Sequence, residues 1–502
     1  MILSSMQALI APVVLSAAAL ILMMQIAFWR NALLSWVLSC ASFIIAILLL
    51  LPQLNLSGAS PIQAQMITPI LVADQYSVFF SLLILFASLV TSVLAKDYLQ
   101  IRTGENEEFY LLLILSTLGA LILVSATHLA SFLLGLELLG VALYALIAYP
   151  ERGHSPLEAA VKYLILSGAA SAILLFGFAL IYAALGTLSF AGIGAQLSNP
   201  DLLGGNQSSH LIILLGTAMV FTGIGFKLSV VPFHMWTPDV YEGAPAPVTG
   251  FLATVSKGAI FAALLRFFVD AELYQYHGLM LGISALAIAS MLVGNLLALK
   301  QDNLKRLLAY SSIAHLGYLL VTLVVYGALQ QPGIAVEAVG FYLTAYVVTT
   351  LAAFALVSIL SSSGVDSSGQ SDPQEADSIS AIEGLFWRQP LLALMLTISM
   401  LSLAGIPLTV GFVGKFYLIT AGIGAGLWVL LAALVVGSGI GIYYYLRIIF
   451  SMTQKVDSHN SASLSGKPSV SAMSMIWLLI GAMLYFGVFP QPLIEYLSTL
   501  VL

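Results

Sequence analysis

Charged residues are scarce in this sequence, and their scarcity excludes an ordinary soluble protein. Asp, Glu, Lys and Arg make up only 8% of the 502 residues, whereas 60% of the side chains are apolar and the mean hydropathy is +1.05. Soluble domains carry about a quarter charged residues. A bilayer core about 30 Å thick is crossed by about 20 mostly apolar residues in a helix. The chain supplies such runs repeatedly, so we expect an all-α polytopic membrane protein.

Cysteine is almost absent, and nucleotide-binding signatures are missing. Cys40 is the single cysteine, whereas an iron–sulfur cluster needs about four thiolates. No dinucleotide or P-loop signature occurs in a suitable context, and glycine-rich stretches such as "GSGIGIYYY" indicate close packing between helices. We therefore expect no cofactor or metal in this chain. No basic residue precedes Arg30, so the first apolar run is expected to be retained as a span rather than cleaved as a signal peptide.

Apolar runs predict about fourteen transmembrane helices with no soluble domain between them. The longest polar connections lie at about 52–74, 186–210, 361–389 and 452–470, and each is too short to bury a core of its own. Within the third connection, "SSSGVDSSGQSDPQEADS" predicts a flexible surface loop.

Basic residues are distributed unevenly over the predicted loops. With fourteen spans, 12 of the 16 Lys and Arg residues fall on one side of the membrane and Arg266 alone falls on the other. Loops rich in Lys and Arg remain in the cytoplasm. The pattern predicts that both termini lie on the opposite side.

Four ionisable residues are predicted to lie deep inside the spans: Glu137, Lys227, Lys257 and Lys415. A charge at the centre of a transmembrane helix costs about 2.5–3.5 kcal/mol even on the lenient insertion scale, and such residues usually mark ion or proton paths. The alternative for each is a hydrogen bond or ion pair that only fixes helix packing. We expect the set of four to carry proton transfer.

Two of these lysines lie beside residues that break helices. Pro232 follows Lys227 by five residues and cannot bond to the Leu228 carbonyl. The stretch "SLAGIPLTVGFVGKFYLIT", residues 402–420, combines Gly and Pro with Lys415 in a span of about 32 residues, longer than a straight crossing requires. Both stretches predict broken helices that line small hydrated cavities.

The two predicted breaks fall in spans 7 and 12. They are five spans apart, and an odd offset between corresponding helices implies opposite topology, so we expect two inverted five-helix repeats. The predicted division is an N-terminal three-helix segment at 1–108, a first repeat at 109–275, a second repeat at 276–455 and the C-terminal helix 14 at 456–502.

Two histidines are weaker candidates for a proton relay. His234 follows the first break, and His315 lies in "AYSSIAHLGYLL". Histidine titrates near neutral pH, but a lone histidine among apolar residues is more often a hydrogen-bonded packing residue. The two roles are about equally favoured for His234, and packing is favoured for His315.

Three stretches resemble the antiporter-like membrane subunits of respiratory complex I, in particular the N-type subunits of the bacterial proton-translocating NADH:quinone oxidoreductase. They are "GFKLSVVPFHMWTPDVYEGAPAPVTGFLATVSKGAIF", "QDNLKRLLAYSSIAHLGYLL" and "MLSLAGIPLTVGFVGKFY". The chain lacks the long C-terminal extension of the L-type and has Lys415 where the M-type usually has Glu. Both differences favour the N-type. Cyanobacterial and plastid relatives share "TPDVYEG", so membership of that group remains an alternative.

The resemblance implies a role for each matching residue. Glu137 is the partner carboxylate in the fifth helix, Lys227 lies in the broken seventh helix, Lys257 in the eighth and Lys415 in the broken twelfth. It implies proton entry from the cytoplasm near Lys227 and transfer through Lys257 to Lys415. It also implies a bacterial inner membrane with periplasmic termini, other membrane and peripheral subunits as partners, and FMN, iron–sulfur clusters and quinone in those partners. No nucleic acid is expected.

The expected mechanism is a change in lysine protonation driven by a movable carboxylate. Burial lowers the pKa of a lysine and a nearby carboxylate raises it. Two unit charges at 4 Å interact by about 4 kcal/mol at an effective dielectric constant of 20. Movement of Glu137 relative to Lys227 would then load or release a proton. Two alternatives remain: a subunit of a multisubunit cation/proton antiporter, and a structural membrane subunit whose charges only pin helices.

Overall fold

The computed structural model describes residues 9–54, 65–102, 106–149, 154–198, 207–330, 332–363, 377–455 and 469–500. Within these ranges, 13 helices are long and apolar enough to cross a membrane. Two shorter apolar helices, Pro390–Ala404 and Val410–Gly424, together form one more crossing. The prediction of about fourteen transmembrane helices is therefore confirmed, and the chain is a polytopic membrane protein. Most of the predicted surface loop, residues 364–376, lies outside the described residues.

The fourteen crossings are numbered as spans in chain order. They are span 1 Ile10–Phe28, span 2 Ala32–Leu50, span 3 Gln75–Arg102, span 4 Glu107–Val124, span 5 Leu129–Ala148, span 6 His154–Leu185, span 7 Gln207–Leu228, span 8 Ala246–Asp270, span 9 His277–Ala298, span 10 Leu304–Leu329, span 11 Pro332–Ser363, span 12 Pro390–Gly424, span 13 Trp428–Thr453 and span 14 Val470–Val488.

Spans 7 and 12 are broken, as the sequence predicts. The helix of span 7 ends at Leu228, and the next residue, Ser229, has a positive φ of 62°. The chain then passes Pro232 and forms a short helix at Trp236–Gly243. In span 12 the break contains Gly405, with a φ of 81°. Pro232 explains the early helix end, since it has no N–H to donate to the Leu228 carbonyl.

Two matching bridges relate the two halves of the chain. His128, just before span 5, pairs with Ser189, just after span 6, and Asn303, before span 10, pairs with Ser378, after span 11. All four side chains accept a backbone N–H at the start of the following helix. Since spans 5 and 10 are an odd number of crossings apart, the same bridge occurs on opposite membrane faces. This is the arrangement that inverted repeats produce.

Glycine contacts follow the same register. His128 and Asn303 are 175 positions apart, and so are Gly119 in span 4 and Gly294 in span 9. A Cβ on Gly119 would lie 2.4 Å from the Leu139 backbone nitrogen, and one on Gly294 would lie 2.8 Å from the corresponding nitrogen of Ala314. Spans 4 and 5, and likewise spans 9 and 10, therefore pack backbone against backbone.

A short hairpin precedes span 3 and was not predicted. Strands β1 (Gln65–Thr68) and β2 (Leu71–Ala73) pair antiparallel. The hairpin is bonded to the connection between spans 4 and 5, because the Val72 N–H donates to the Ser125 backbone carbonyl. A helix at Phe190–Leu197 likewise occupies part of the connection that the sequence left without structure.

Spans 8 and 11 form the centre of the molecule. The apolar windows of both are fully buried, whereas only 22% of the window in span 1 is buried. Span 8 carries Lys257, so this charge lies among protein rather than lipid. Helices that are apolar all round belong in such a position.

Candidate functional site

Lys227 is at the end of the span 7 helix, where the helix stops. Its side chain is 4% exposed, and its ammonium donates to the hydroxyl of Ser167 in span 6 at 2.6 Å. Tyr144 in span 5 donates to the same hydroxyl at 2.8 Å. A hydroxyl is both donor and acceptor, so it can pass a proton as well as hold one.

Glu137 lies in span 5 and contacts span 6 one helical turn beyond Ser167. Its carboxylate accepts from Ser171 at 2.6 Å. In the described part of the chain, Glu137 and Lys227 form no direct ion pair, and each bonds instead to a different serine of span 6, Ser171 and Ser167. The two charges still interact through space. Glu137, the predicted carboxylate partner of Lys227, therefore interacts with the lysine without a direct hydrogen bond to it.

Lys257 begins the regular α-helical part of span 8. It follows a π-helical turn at Leu252–Ser256, and such turns are frequent at functional sites. Lys257 is 1% exposed, and its ammonium donates to Ser312 in span 10 at 2.7 Å. Ser312 is also 2.7 Å from the Tyr346 hydroxyl in span 11, and the ring of Tyr241 lies 5.2 Å from the ammonium.

Ser312 occupies the place of Glu137 in the second repeat. The two residues are 175 positions apart, which is the register set by the matching bridges and glycines. The first repeat therefore has a carboxylate at this level, and the second has a neutral hydroxyl.

His315 lies in span 10, three residues after Ser312, and is 6% exposed. Its Nδ1 is 2.7 Å from the Tyr342 hydroxyl, and its Nε2 is 3.5 Å from the Tyr445 hydroxyl. Tyr445 in turn bonds to Ser311. The histidine is thus bonded on both sides, which fits the packing role and equally fits a relay.

Lys415 lies just after the break in span 12. It is 7% exposed and donates to the carbonyls of Leu403 and Ala404 and to the hydroxyl of Ser438, at 3.0, 2.9 and 2.9 Å. The two carbonyls end the first half-helix, where the helix dipole is negative. The break therefore supplies the acceptors for this ammonium.

His234 follows the break in span 7 and differs from His315. It is 6% exposed, and neither ring nitrogen has a well-formed hydrogen-bond partner in the described part of the chain. The nearby Pro232 backbone offers only a weak interaction. Buried ring nitrogens in native proteins are usually bonded to protein or water, so His234 faces a position where water belongs.

The predicted residues thus lie at separate places, each bonded to its own neighbouring spans, rather than in one cluster. Lys227 and Glu137 are joined through span 6, Lys257 through spans 10 and 11, and Lys415 through spans 12 and 13. The hydroxyls bonded to these residues were not predicted from the sequence. The signal for two of them was present, because serines four positions apart face the same side of an apolar helix. The hydroxyl-bearing residues are Tyr144, Ser167, Ser171, Tyr241, Ser311, Ser312, Tyr342, Tyr346, Ser438 and Tyr445.

One buried ion pair was also missed. Arg266, expected near a loop, lies within span 8 at 4% exposure and makes two bonds to Asp74, at 2.7 and 2.9 Å. Asp74 immediately precedes span 3. The pair places the start of span 3 and the end of span 8 on one face. Among the described residues, no group of three or more His, Cys, Asp or Glu side chains is placed to hold a metal ion.

Comparisons with known proteins give one consistent family. Residues 126–441 match the model of the family described as NADH:quinone oxidoreductase/Mrp antiporter, transmembrane. The NADH-quinone oxidoreductase subunit N of Methylococcus capsulatus is 47% identical over 491 residues, covering 98% of this chain and 94% of that protein.

Two solved structures have the same fold. Respiratory complex I from Thermus thermophilus with bound aureothin contains a chain that is 32% identical, with a TM-score of 0.78 and coverage of 97% of this chain and 98% of that one. A chain of the Mrp complex from Dietzia sp. DQ12-45-1b is 19% identical, with a TM-score of 0.84 and coverage of 99% and 97%. The second similarity establishes the fold alone.

Proposed function

Since the chain belongs to the subunit N family of NADH-quinone oxidoreductases, we propose that it moves protons across the membrane through its buried lysines. Protons enter beside the break in span 7, pass from Lys227 to Lys257 and reach Lys415. His234 and His315 act as relays at the entry and in span 10. The hydroxyls bonded to each lysine connect the steps.

The observation that carries this proposal is the hydrogen-bonding of the three ammonium groups. Lys227 and Lys257 each donate to a serine hydroxyl, and Lys415 donates to a serine hydroxyl and two carbonyls. Buried ammonium groups that only pinned helices would be stabilised best by carboxylates. Hydroxyls leave each amine free to gain or lose a proton, and the Glu137 carboxylate interacts with Lys227 through space.

The driving energy comes from outside the chain. Export of one proton against 100 mV takes about 2.3 kcal/mol. We assign its source to quinone reduction in partner subunits, which hold FMN and iron–sulfur clusters, and the present chain carries no redox centre. It assembles with those membrane and peripheral subunits in a bacterial inner membrane, with both termini periplasmic. The division at 1–108, 109–275, 276–455 and 456–502 is part of the same proposal.

Replacement of Lys227 in the assembled complex tests the proposal. Lys227→Ala is expected to abolish or sharply reduce proton transfer linked to quinone reduction, measured with a pH-sensitive dye in sealed inside-out vesicles. Lys300→Ala, at an exposed loop position, is the control and is expected to pump normally. Full pumping by Lys227→Ala in a normally assembled complex would contradict the proposal and favour a purely structural role.

A further inference from the structure

Four buried polar atoms without well-aligned hydrogen bonds lie within nine residues at the break in span 7. In the described part of the chain, Ser229 Oγ, both ring nitrogens of His234 and Thr237 Oγ1 form no well-aligned hydrogen bond, and His234 has only a weak interaction with the Pro232 backbone. Ser229 and Thr237 are fully buried. Buried polar groups of this kind are normally satisfied by protein or by bound water. Because these groups lie in the segment that follows Lys227, we infer that the break encloses a small water-filled cavity.

The short helix Trp236–Gly243 borders this cavity. The Trp236 indole donates to the Phe226 carbonyl at 3.0 Å and stacks on the Phe226 ring at 5.4 Å between centroids. On its other side, the Trp236 ring lies 4.8 Å from that of Tyr163 in span 6. The aromatic contacts join the short helix to the residue next to Lys227, so movement of this helix changes what surrounds the break.

Ion pairs fasten the short helix to both repeats. Asp239 accepts from Lys162 of span 6 at 3.0 Å and from Arg306 of span 10 at 2.9 Å. Glu242 accepts from Arg306 at 2.6 Å and from Asn303 at 3.4 Å. The helix is therefore held between one repeat and the other on the face that carries the basic loops.

We propose that Asp239, Glu242, Lys162 and Arg306 form a latch that closes the proton entry: while the ion pairs hold, the helix Trp236–Gly243 seals the cavity, and when they open, water from the basic side reaches Lys227. This inference rests on the proposed function, because the latch controls entry to the path that begins at Lys227. The latch residues are positioning residues, since they hold no proton of the path themselves.

The ion pairs have the strength that a latch requires. The side chains of Lys162 and Arg306 are 43% and 27% exposed, and those of Asp239 and Glu242 are 36% and 42% exposed. An exposed ion pair biases an equilibrium by only about two- to fivefold, so three together hold a closed state by roughly ten- to a hundredfold. Such a bias keeps the entry mostly closed and still allows frequent opening.

Cysteine accessibility tests the latch directly. In a Cys40→Ala background, Ser229→Cys places a nearly isosteric thiol in the cavity, and its modification by a small membrane-impermeant thiosulfonate cation is measured in inside-out vesicles that hold the assembled complex. Asp239→Asn is expected to raise the modification rate about tenfold, whereas Asp239→Glu should leave it nearly unchanged. Glu158→Gln is the matched control, because Glu158 also pairs with Lys162, at 2.7 Å, and in the described part of the chain it forms no ion pair with the short helix.

A second measurement keeps the test independent of assembly of the variant. Raising the salt from 0.05 to about 1 M screens exposed ion pairs and is expected to raise the Ser229→Cys rate without any latch substitution. If Asp239→Asn assembles and the Ser229→Cys thiol reacts at the same rate as in its parent, the latch is overturned. If Asp239→Asn does not assemble, the absence of a salt effect on the rate in the parent overturns it. Thiol modification does not depend on pumping, so the two proposals can fail separately. Normal pumping by Lys227→Ala would contradict the proposed function and would not affect the accessibility result.

Discussion

The three lysines of the proposed proton path are held by neutral oxygens. In the described part of the chain, Lys227 and Lys257 each donate to a serine, and Lys415 donates to a serine and two carbonyls. A serine hydroxyl accepts from an ammonium and donates to a neutral amine with little rearrangement. Each site can therefore exist in two protonation states without leaving an orphaned polar group, which a fixed carboxylate partner would not permit.

Removal of the Ser167 hydroxyl tests this argument. A hydrogen bond to a charged group contributes about 1.5–3 kcal/mol, so Ser167→Ala is expected to slow quinone-linked proton transfer roughly tenfold or more while quinone reduction remains measurable. Ser167→Thr keeps the hydroxyl and should retain most of the rate. Thr222→Ala, which removes a hydroxyl bonded only to its own helix, is the control. An unchanged proton-to-electron ratio and rate in Ser167→Ala would refute the role of this hydroxyl.

Gly405 permits the position of Lys415. It has a φ of 81°, and a Cβ there would lie 2.8 Å from Cδ of Lys415 and 3.1 Å from Nζ. Because a left-handed conformation costs a non-glycine residue about 1–2 kcal/mol, Gly405→Ala is expected to lower the melting temperature of the complex and to reduce pumping. Gly439→Ala in span 13, whose Cβ would meet nothing within 4 Å, should change neither. Wild-type pumping in Gly405→Ala would show that Lys415 tolerates displacement.

At the scale of elements, the Asp74–Arg266 ion pair joins span 3 to span 8. Burial alone would raise the pKa of the Asp74 carboxyl, but the charge and hydrogen bonds of Arg266, together with bonds from Ser77, hold that pKa below its usual value. The pair therefore stabilises the fold above the unfolded pKa of about 3.9. The contribution is lost as the pH falls through the lower pKa of the folded state.

We expect Asp74→Asn to destabilise the complex in a pH-dependent way. Breaking a buried ion pair costs about 3–5 kcal/mol, so the melting temperature should be clearly lower than that of the wild type at pH 5 to 7. The difference should begin to shrink below about pH 4, where the carboxyl of the unfolded chain binds a proton, and disappear once the pH passes the lower pKa of the folded state. Glu108→Gln removes the exposed pair with Arg30 and should cost less than about 1 kcal/mol. If the difference in melting temperature between the wild type and Asp74→Asn did not change with pH, the charge of Asp74 would not be the source of the stabilisation.

At the scale of the whole molecule, the orientation can be tested with two surface positions. Gln275 precedes span 9 and Lys300 follows it, and both are exposed. In a Cys40→Ala background, Gln275→Cys is expected to react with an impermeant maleimide in right-side-out vesicles, and Lys300→Cys only in inside-out vesicles. Reaction from the same side would contradict the span count, and the reversed pattern would contradict the cytoplasmic placement of the basic loops.

The architecture was predictable from the sequence because lipid imposes a simple rule. Apolar length sets the number of helices, and Pro232 and Gly405 mark the breaks because their backbone chemistry is local. The buried charges were found for the same reason, since they contrast with an apolar background. The structure buries Lys227, Lys257 and Lys415 and partly buries Glu137, and their roles in proton transfer stay predictions.

The connections between these charges were not predictable. Which serine meets which lysine depends on how helices distant in sequence rotate against each other, as Ser312 and Lys257 do across 55 positions. The hairpin before span 3 was missed because its strands are only four and three residues long. The latch was missed because Asp239 and its partners are ordinary loop charges until the fold brings them together.

The paired bridges at His128–Ser189 and Asn303–Ser378 have a consequence for movement. Each half of the molecule is tied by main chain at one membrane surface, and the two surfaces differ. With the orientation proposed above, the first half is freest to flex toward the cytosol and the second toward the exterior. For the proposed proton path, uptake and discharge of a proton would then belong to different halves, so neither half would need to face both sides in turn.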